Sequence, residues 1–127
     1  MNECAFCKLP RERVAASSEH GMVIRDAYPI SDGHTLIIPK RHIGSFFDLT
    51  SAELSDLFAL LNNAKTNLDR ELSPDGYNVG INDGPVAGQT IPHLHIHLIP
   101  RYKGDRADPR GGVRWIVPEK ADYWSKR

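Results

Sequence analysis

Residues 91–101 read Ile-Pro-His-Leu-His-Ile-His-Leu-Ile-Pro-Arg and carry three of the chain's six histidines, His93, His95 and His97, at every second position. Leu94, Ile96 and Leu98 fill the gaps. A period of 2 predicts a strand with imidazoles on one face and aliphatic side chains on the other. Two residues of strand rise about 6.7 Å, so neighbouring imidazoles can act on one small substrate or converge on a metal. Three readings are open: solvated histidines on a half-buried strand, a metal face suited to zinc, copper or iron, or nucleophilic catalysis. In the last, one imidazole attacks while its neighbours set its tautomer and protonate a leaving group. The spacing alone does not choose among them.

Cys4-Ala-Phe-Cys7 is the only cysteine pair. In a reducing compartment C-x-x-C reads as half a metal site or a redox dithiol, and two unligated buried thiols are a further reading. A redox role requires a thioredoxin-like βαβ pattern, and none follows the motif. Half a zinc site needs two more ligands, and with no third cysteine histidines must supply them. Residues 83–90, Asp-Gly-Pro-Val-Ala-Gly-Gln-Thr, match neither a Walker A loop nor G-x-G-x-x-G. Such a Gly-rich loop can still cradle a phosphate with its N–H groups and the Thr90 hydroxyl, or simply connect two strands. The basic pair Lys40-Arg41 reads as a solvated edge or a phosphate contact.

The elements that must position these groups are legible in outline. Residues 13–18 and 22–27 are β-type runs around Glu19-His20-Gly21, a hairpin in which Gly21 is free to take positive φ. Residues 34–39 form a buried-type strand opening with His34. Thr50-Ser-Ala-Glu53 is a capping box. After it Leu54, Leu57, Phe58, Leu61, Ala64, Leu68 and Leu72 recur at helical spacing, which predicts a helix over residues 51–72 covering a sheet face. Residues 77–82 read as a further strand. The chain turns polar after Arg101, and both tryptophans, Trp115 and Trp124, fall in the last segment.

A chain of 127 residues with 40% hydrophobic and 25% charged residues predicts one soluble domain, residues 1–127. Sixteen basic and sixteen acidic residues cancel, so the basic footprint of a nucleic-acid-coating protein is missing. No apolar run reaches membrane-spanning length, and the first residues lack the basic-then-apolar pattern of a signal peptide, so the expected location is the cytoplasm.

His93-Leu-His-Ile-His-Leu-Ile resembles the signature of the histidine triad (HIT) family, in which histidine alternates with apolar residues. Residues 82–90 precede it at the family's spacing, residues 34–42 resemble the upstream strand, and Asp26 stands where relatives place a ribose-binding Asp or Asn. The resemblance covers residues 4–105. It implies an α+β fold, an antiparallel sheet of about five strands with one long helix, joined into a ten-stranded sheet in a homodimer. It further implies cleavage of a purine nucleotide's α-phosphate from its leaving group. His95 would be the nucleophile, His97 would position the phosphate and departing group, and His34 and His93 would form the supporting relay. Asn82, Gly88, Gln89 and Thr90 would line the phosphate site, Asp26 the ribose, and Phe6 and Ile24 the base. Some relatives bind structural zinc through residues matching Cys4, Cys7, His42 and His93, which would take His93 out of the relay. No metal is needed for the chemical step.

Within the family, residues 83–90 and Pro100-Arg101…Gly104-Asp105 resemble the fragile-histidine-triad branch, which hydrolyses dinucleoside polyphosphates. Asp rather than Asn at position 26 resembles the nucleoside phosphoramidase branch, which splits P–N bonds. His97 argues against the uridylyltransferase branch. The tail, about residues 106–127, departs from both remaining branches and is assigned to dimer or leaving-group contacts. A nucleotide-binding interaction protein with slow hydrolysis, and a catalytic metal site on the histidine strand, are the competing classes.

Overall fold

The protein is described here by a computed structural model that places residues 4–125. The reading of the first residues falls partly on Met1 to Glu3, which lie outside the described residues. Five strands, β1 (Val14–Ser17), β2 (Gly21–Arg25), β3 (Thr35–Pro39), β4 (Gly76–Gly80) and β5 (Ile96–Arg101), form one sheet in the order β1-β2-β3-β5-β4. Every neighbouring pair is antiparallel. One helix, α1 (Ser51–Leu72), packs on the sheet, so the α+β expectation holds. The order matters because β5, which carries His97, is an interior strand clamped between β3 and β4.

The helix begins where the capping box predicts it. The Thr50 side chain accepts the Glu53 N–H and the Glu53 carboxylate accepts the Thr50 N–H, satisfying two of the first-turn donors that a helix cannot pair internally. Its buried stripe is Leu57, Leu60, Ala64 and Leu68, laid over Val23, Ile37, Ile96 and Leu98 of the sheet. Leu60, three residues on from Leu57 and four before Ala64, completes the stripe. Phe58, by contrast, is 43% exposed and stacks on Phe46, and Leu72 lies at the exposed helix end. Each fully buried leucine here contributes about 1.5–3 kcal/mol by leaving water. The opposite sheet face carries Ile24, Leu36 and Ile38, covered by Cys4 and Phe6 of the N-terminal segment.

Three sequence expectations are corrected. The histidine strand is shorter than residues 91–101, because the ladder begins only at Ile96. Pro92 has no N–H to give, and the next amides are used elsewhere: the His93 N–H bonds the Ile91 carbonyl at 2.8 Å, and the Leu94 N–H bonds the Ile43 carbonyl at 2.7 Å. The strand read over 77–82 runs Gly76–Gly80, so Ile81 and Asn82 already belong to the loop. Gly21 is not a positive-φ turn residue. It opens β2 beneath the helix, where a Cβ would come within 2.4 Å of Leu57 Cδ2 and 2.8 Å of Leu60 Cδ1. The close approach of helix to sheet, not the turn, requires glycine there.

Glu53 also anchors Arg41, whose Nε and Nη2 donate to its two oxygens at 2.8 and 2.7 Å. Arg41 is thereby a structural residue tying the end of β3 to the helix cap, not a phosphate contact. The Arg41 hydrogen bonds, with the Thr50 amide second, hold the Glu53 carboxyl down at about 2. Because that lies below the ordinary value of 4.5, the stability it supplies is present above pH 4.5 and is lost as pH falls towards 2. Glu53→Gln should therefore lower the Tm at neutral pH, with the gap to wild type closing between pH 4.5 and 2 in thermal melts. A gap that stays constant with pH would assign the effect to cap geometry and not to charge.

Candidate active site and metal centre

Two cavities meet along one wall. The smaller, about 600 Å³, is bounded by Phe6, Leu36, Gly88, Thr90 and His95. The larger, about 1060 Å³, is bounded by Ile99, Arg101, Tyr102 and the tail residues Val113, Trp115 and Ile116. Asp26, Tyr28, Asn82 and His97 line both, and so form the shared wall. His34 lies behind that wall on the larger side.

The hydrogen bonds decide where each imidazole proton resides. His95 Nδ1 lies 2.9 Å from the His93 carbonyl, which can only accept, so Nδ1 carries the proton and Nε2 keeps its lone pair. His34 Nδ1 accepts the Ile30 N–H at 3.2 Å, which puts the His34 proton on Nε2. That proton faces His97 Nδ1 at 2.9 Å, so neutral His97 accepts there and carries its own proton on Nε2. Asp26 Oδ2 stands 3.3 Å from the same His34 Nε2, and Asp26 Oδ1 accepts the Tyr28 N–H at 2.8 Å. Burial drives the His97 pKa down to about 4, with repulsion from His95 and His34 adding to the shift and Asp26 opposing it. Burial also lowers His34, again against the pull of Asp26.

His93 faces away from this group. Its Nε2 lies 2.8 Å from the Pro39 carbonyl and so carries the proton, leaving a single lone pair on Nδ1. Cys4 Sγ, Cys7 Sγ and His42 Nδ1 stand 3.3, 3.5 and 3.1 Å from that one nitrogen, and Cys7 Sγ is 3.2 Å from His42 Nδ1. Three groups converging on one lone pair exceed what hydrogen bonding there can serve. All four donor atoms lie within 4.8 Å of one another. A tetrahedral ion with bonds of about 2.0–2.3 Å imposes donor separations of this size, so the four residues fit a closed metal centre. Asp26, His34 and His97 also cluster within 4.8 Å. There the Ile30 amide works against a metal, because it fixes a proton on the His34 nitrogen that faces the cluster.

The Gly-rich loop (residues 83–90) takes positive φ at Gly84 and Gly88 and is pinned at both ends. Asp83 accepts Ser45 Oγ and the Phe46 N–H at 3.0 and 2.8 Å. Gln89 accepts the Gly84 N–H at 2.8 Å and donates to the Gly44 and Ile91 carbonyls. The structure therefore brings Asn82, Gly88 and Thr90 to the cavity with His95, but turns the Gln89 side chain inward as a staple. Phe6 lines the cavity with its ring 5.2 Å from that of His95 and 5.8 Å from that of His93. Ile24 is 0% exposed and lines neither cavity; it supports Leu36, its cross-strand partner. Leu36 and Asp83 were missed by sequence reading. The parity of β3 relative to Ile24 could have found Leu36, whereas nothing local marks Asp83.

The family model for the HIT domain matches residues 10–104. The nitrilase and fragile histidine triad fusion protein of Caenorhabditis elegans is 37% identical over 79% of this chain, which spans only 23% of that protein. A bis(5'-adenosyl)-triphosphatase of Saccharomyces cerevisiae is 37% identical over 91% of this chain, which spans 54% of it. Among solved structures, a zinc-bound histidine triad family protein from Mycobacterium smegmatis superposes with a TM-score of 0.73 at 33% identity, covering 84% of this chain and 80% of that one.

The tautomers can be read directly. Nitrogen-detected NMR at pH 6 should find His97 neutral with its proton on Nε2, beginning to protonate only near pH 4. A His97 titrating near its ordinary 6.5 would overturn the assignment.

Proposed function

The chain belongs to the histidine triad (HIT) family, and from that premise we propose that it is a nucleotide hydrolase that releases a purine nucleoside monophosphate through a nucleotidyl intermediate on His95. The observation that carries this reading is the His95 ring itself, whose Nδ1 proton is held by a backbone carbonyl while Nε2 keeps its lone pair beside the cavity. Attack by Nε2 on the α-phosphorus forms an N–P bond as the bond to the leaving group breaks. Water then attacks the same phosphorus and returns the electron pair to Nε2. Splitting hydrolysis into two displacements makes each step easier. The Ala87, Gly88 and Gln89 amides are already donated to carbonyls within the loop, so the Thr90 hydroxyl at the cavity is the loop group that would stabilise the equatorial oxygens, the main task in this class of transfer. The nucleoside takes the smaller cavity, against Phe6 and Leu36, and the leaving group takes the larger.

A volume of about 1060 Å³ suits a second nucleoside, and with the likeness to a bis(5'-adenosyl)-triphosphatase it favours dinucleoside polyphosphates. One observation favours the phosphoramidate alternative. The larger cavity is lined by Asp26, Asp32, Asp105 and Asp108 against Arg101 and Arg106, and Arg101 is already held by Asp105 and Asn78, an acidic balance that works against a polyphosphate.

Zinc is the ion that a two-thiolate, two-imidazole centre suits, and we assign it a structural role, tying the N-terminal segment to His42 and His93. That chemistry suits a reducing compartment, in keeping with the cytoplasm. The single domain would pair through β4, the sheet edge on which Val79 stands exposed, into a homodimer with a ten-stranded sheet.

Folded His95→Ala should lose at least about 1000-fold in AMP release from adenosine 5'-phosphoramidate and diadenosine tri- and tetraphosphate. Unchanged turnover in the mutant would remove His95 as the nucleophile. Wild-type kcat below about 0.01 s⁻¹ on all of them would favour a nucleotide-binding interaction protein. Protein purified without chelators should carry about one zinc per chain, lost in Cys7→Ser. A fully folded, metal-free wild type would refute the centre.

A further inference from the structure

Two cations, Lys8 and Arg13, line the smaller cavity, where the nucleoside is placed, and no catalytic step uses them. Arg13 closes a single 3-10 turn, Arg11–Arg13, just before β1. Val14 pairs with Ile24 across the β1–β2 ladder, so Arg13 comes up against Arg25, whose carbonyl accepts its Nη2–H at 3.0 Å. That bond uses one donor of the guanidinium fork and fixes the group at the cavity. Among the described residues neither cation pairs with a carboxylate. The other surroundings of a base are apolar or already committed. Phe6, Leu9, Leu36 and Ile91 supply the apolar floor. The Cys4 carbonyl accepts the Cys7 N–H, the Pro10 carbonyl the Arg13 N–H and the Ile91 carbonyl the His93 N–H. The side-chain acceptors stand elsewhere: Asp26, Tyr28 and Asn82 are on the wall shared with the larger cavity, and Thr90 ends the Gly-rich loop.

We infer that Arg13, with Lys8, makes this cavity select a 6-oxopurine, guanine or hypoxanthine, over adenine. The selection rests on the hydrolase reading above and names the nucleoside monophosphate that is released. Arginine and lysine side chains only donate hydrogen bonds. Guanine turns two acceptors, O6 and N7, to one edge, and an arginine fork meets both at once. Adenine keeps N7 but puts an amino donor where O6 stands, so the same fork finds one acceptor and one opposed donor. A donor left facing a donor in a desolvated site costs more than a bond merely absent, because its lost water is not replaced. The bonds to O6 and N7 come from a charged group and are stronger than those from a neutral one. Contact with Phe6 and Leu36 does not separate the bases, since both present the same fused-ring face. The discrimination therefore falls to the two cations.

The test compares the 5'-phosphoramidates of guanosine, inosine and adenosine on wild type and Arg13→Ala. Inosine carries O6 and N7 but lacks the 2-amino group, so it isolates the edge that arginine reads. In the wild type kcat/KM for guanosine and inosine should exceed that for adenosine by about 10- to 100-fold, the scale of one bidentate contact. In Arg13→Ala that ratio should fall to about 3-fold or less. A purely structural Arg13 would lower all three values together and keep their ratio, which overturns the selection. Equal wild-type values, a preference for adenosine, or a preference for guanosine that inosine does not share overturns it as well. Should Arg13→Ala not fold, the 7-deazaguanosine substrate decides on wild type: removing N7 should cost about 10-fold against guanosine, and no loss overturns the contact. Turnover of none of these substrates would remove the hydrolase reading alone. Calorimetric binding of GMP, IMP and AMP then tests the selection directly: tighter GMP and IMP supports it, and equal affinities overturn it.

Discussion

The His93 carbonyl accepts the Nδ1 proton of His95 at 2.9 Å, while the ring of the same residue is held among Cys4, Cys7 and His42. A single backbone carbonyl therefore fixes the tautomer of the His95 imidazole, and the position of that carbonyl depends on where the His93 ring is anchored. Pro39 supplies the other anchor, at 2.8 Å to Nε2, from the last residue of an interior strand. Two rigid supports, the β3 end and the thiol–imidazole centre, converge on the residue that orients its neighbour. Phe6, between the two cysteines in sequence, completes the arrangement by packing edge-on against both rings.

Five histidines cluster near β5, yet they divide into two chemistries, and the partner of the second nitrogen divides them. A carbonyl bonded to Nε2 leaves Nδ1 of His93 as a lone pair, fit for a metal. An amide donated to Nδ1 of His34 leaves a proton on Nε2, fit for a proton relay. The residue types in the two clusters overlap, and the surrounding backbone, not the side chains themselves, sets what each can do. The tail reinforces the separation, since Trp115, anchored by its Nε1–H to the Arg110 carbonyl at 2.7 Å, walls the larger cavity on the side away from the thiols.

Much of the fold was legible because its signals are local. The helix follows from a capping box and an apolar stripe, and its bounds coincide with the spacing because Thr50 and the left-handed Ser73 terminate it within the chain itself. Strands were placed to within a few residues. At the start of β5 alternation is not pairing: His93, Leu94 and His95 keep the pattern, yet the ladder begins only at Ile96 and the His93 and Leu94 amides bond outside it. Gly21 was explained by the wrong cause, because a helix 30 residues away in sequence leaves no room for a side chain.

The sequence by itself determined the chemistry available: three alternating histidines, a thiol pair lacking two ligands, a Gly-rich loop and a helix to back the sheet. Those are properties of residue type and short-range spacing, which the chain carries before it folds. Only the tertiary structure decided which nitrogen of each imidazole keeps its proton, that Gln89 staples its loop instead of facing the cavity, and that Asp26 meets His34. These are contacts between groups held by separate loops and strands, with backbone carbonyls and amides as partners. Every residue carries the same carbonyl, and all but proline the same amide, so residue types cannot say which of them a side chain will meet until the sheet brings them together.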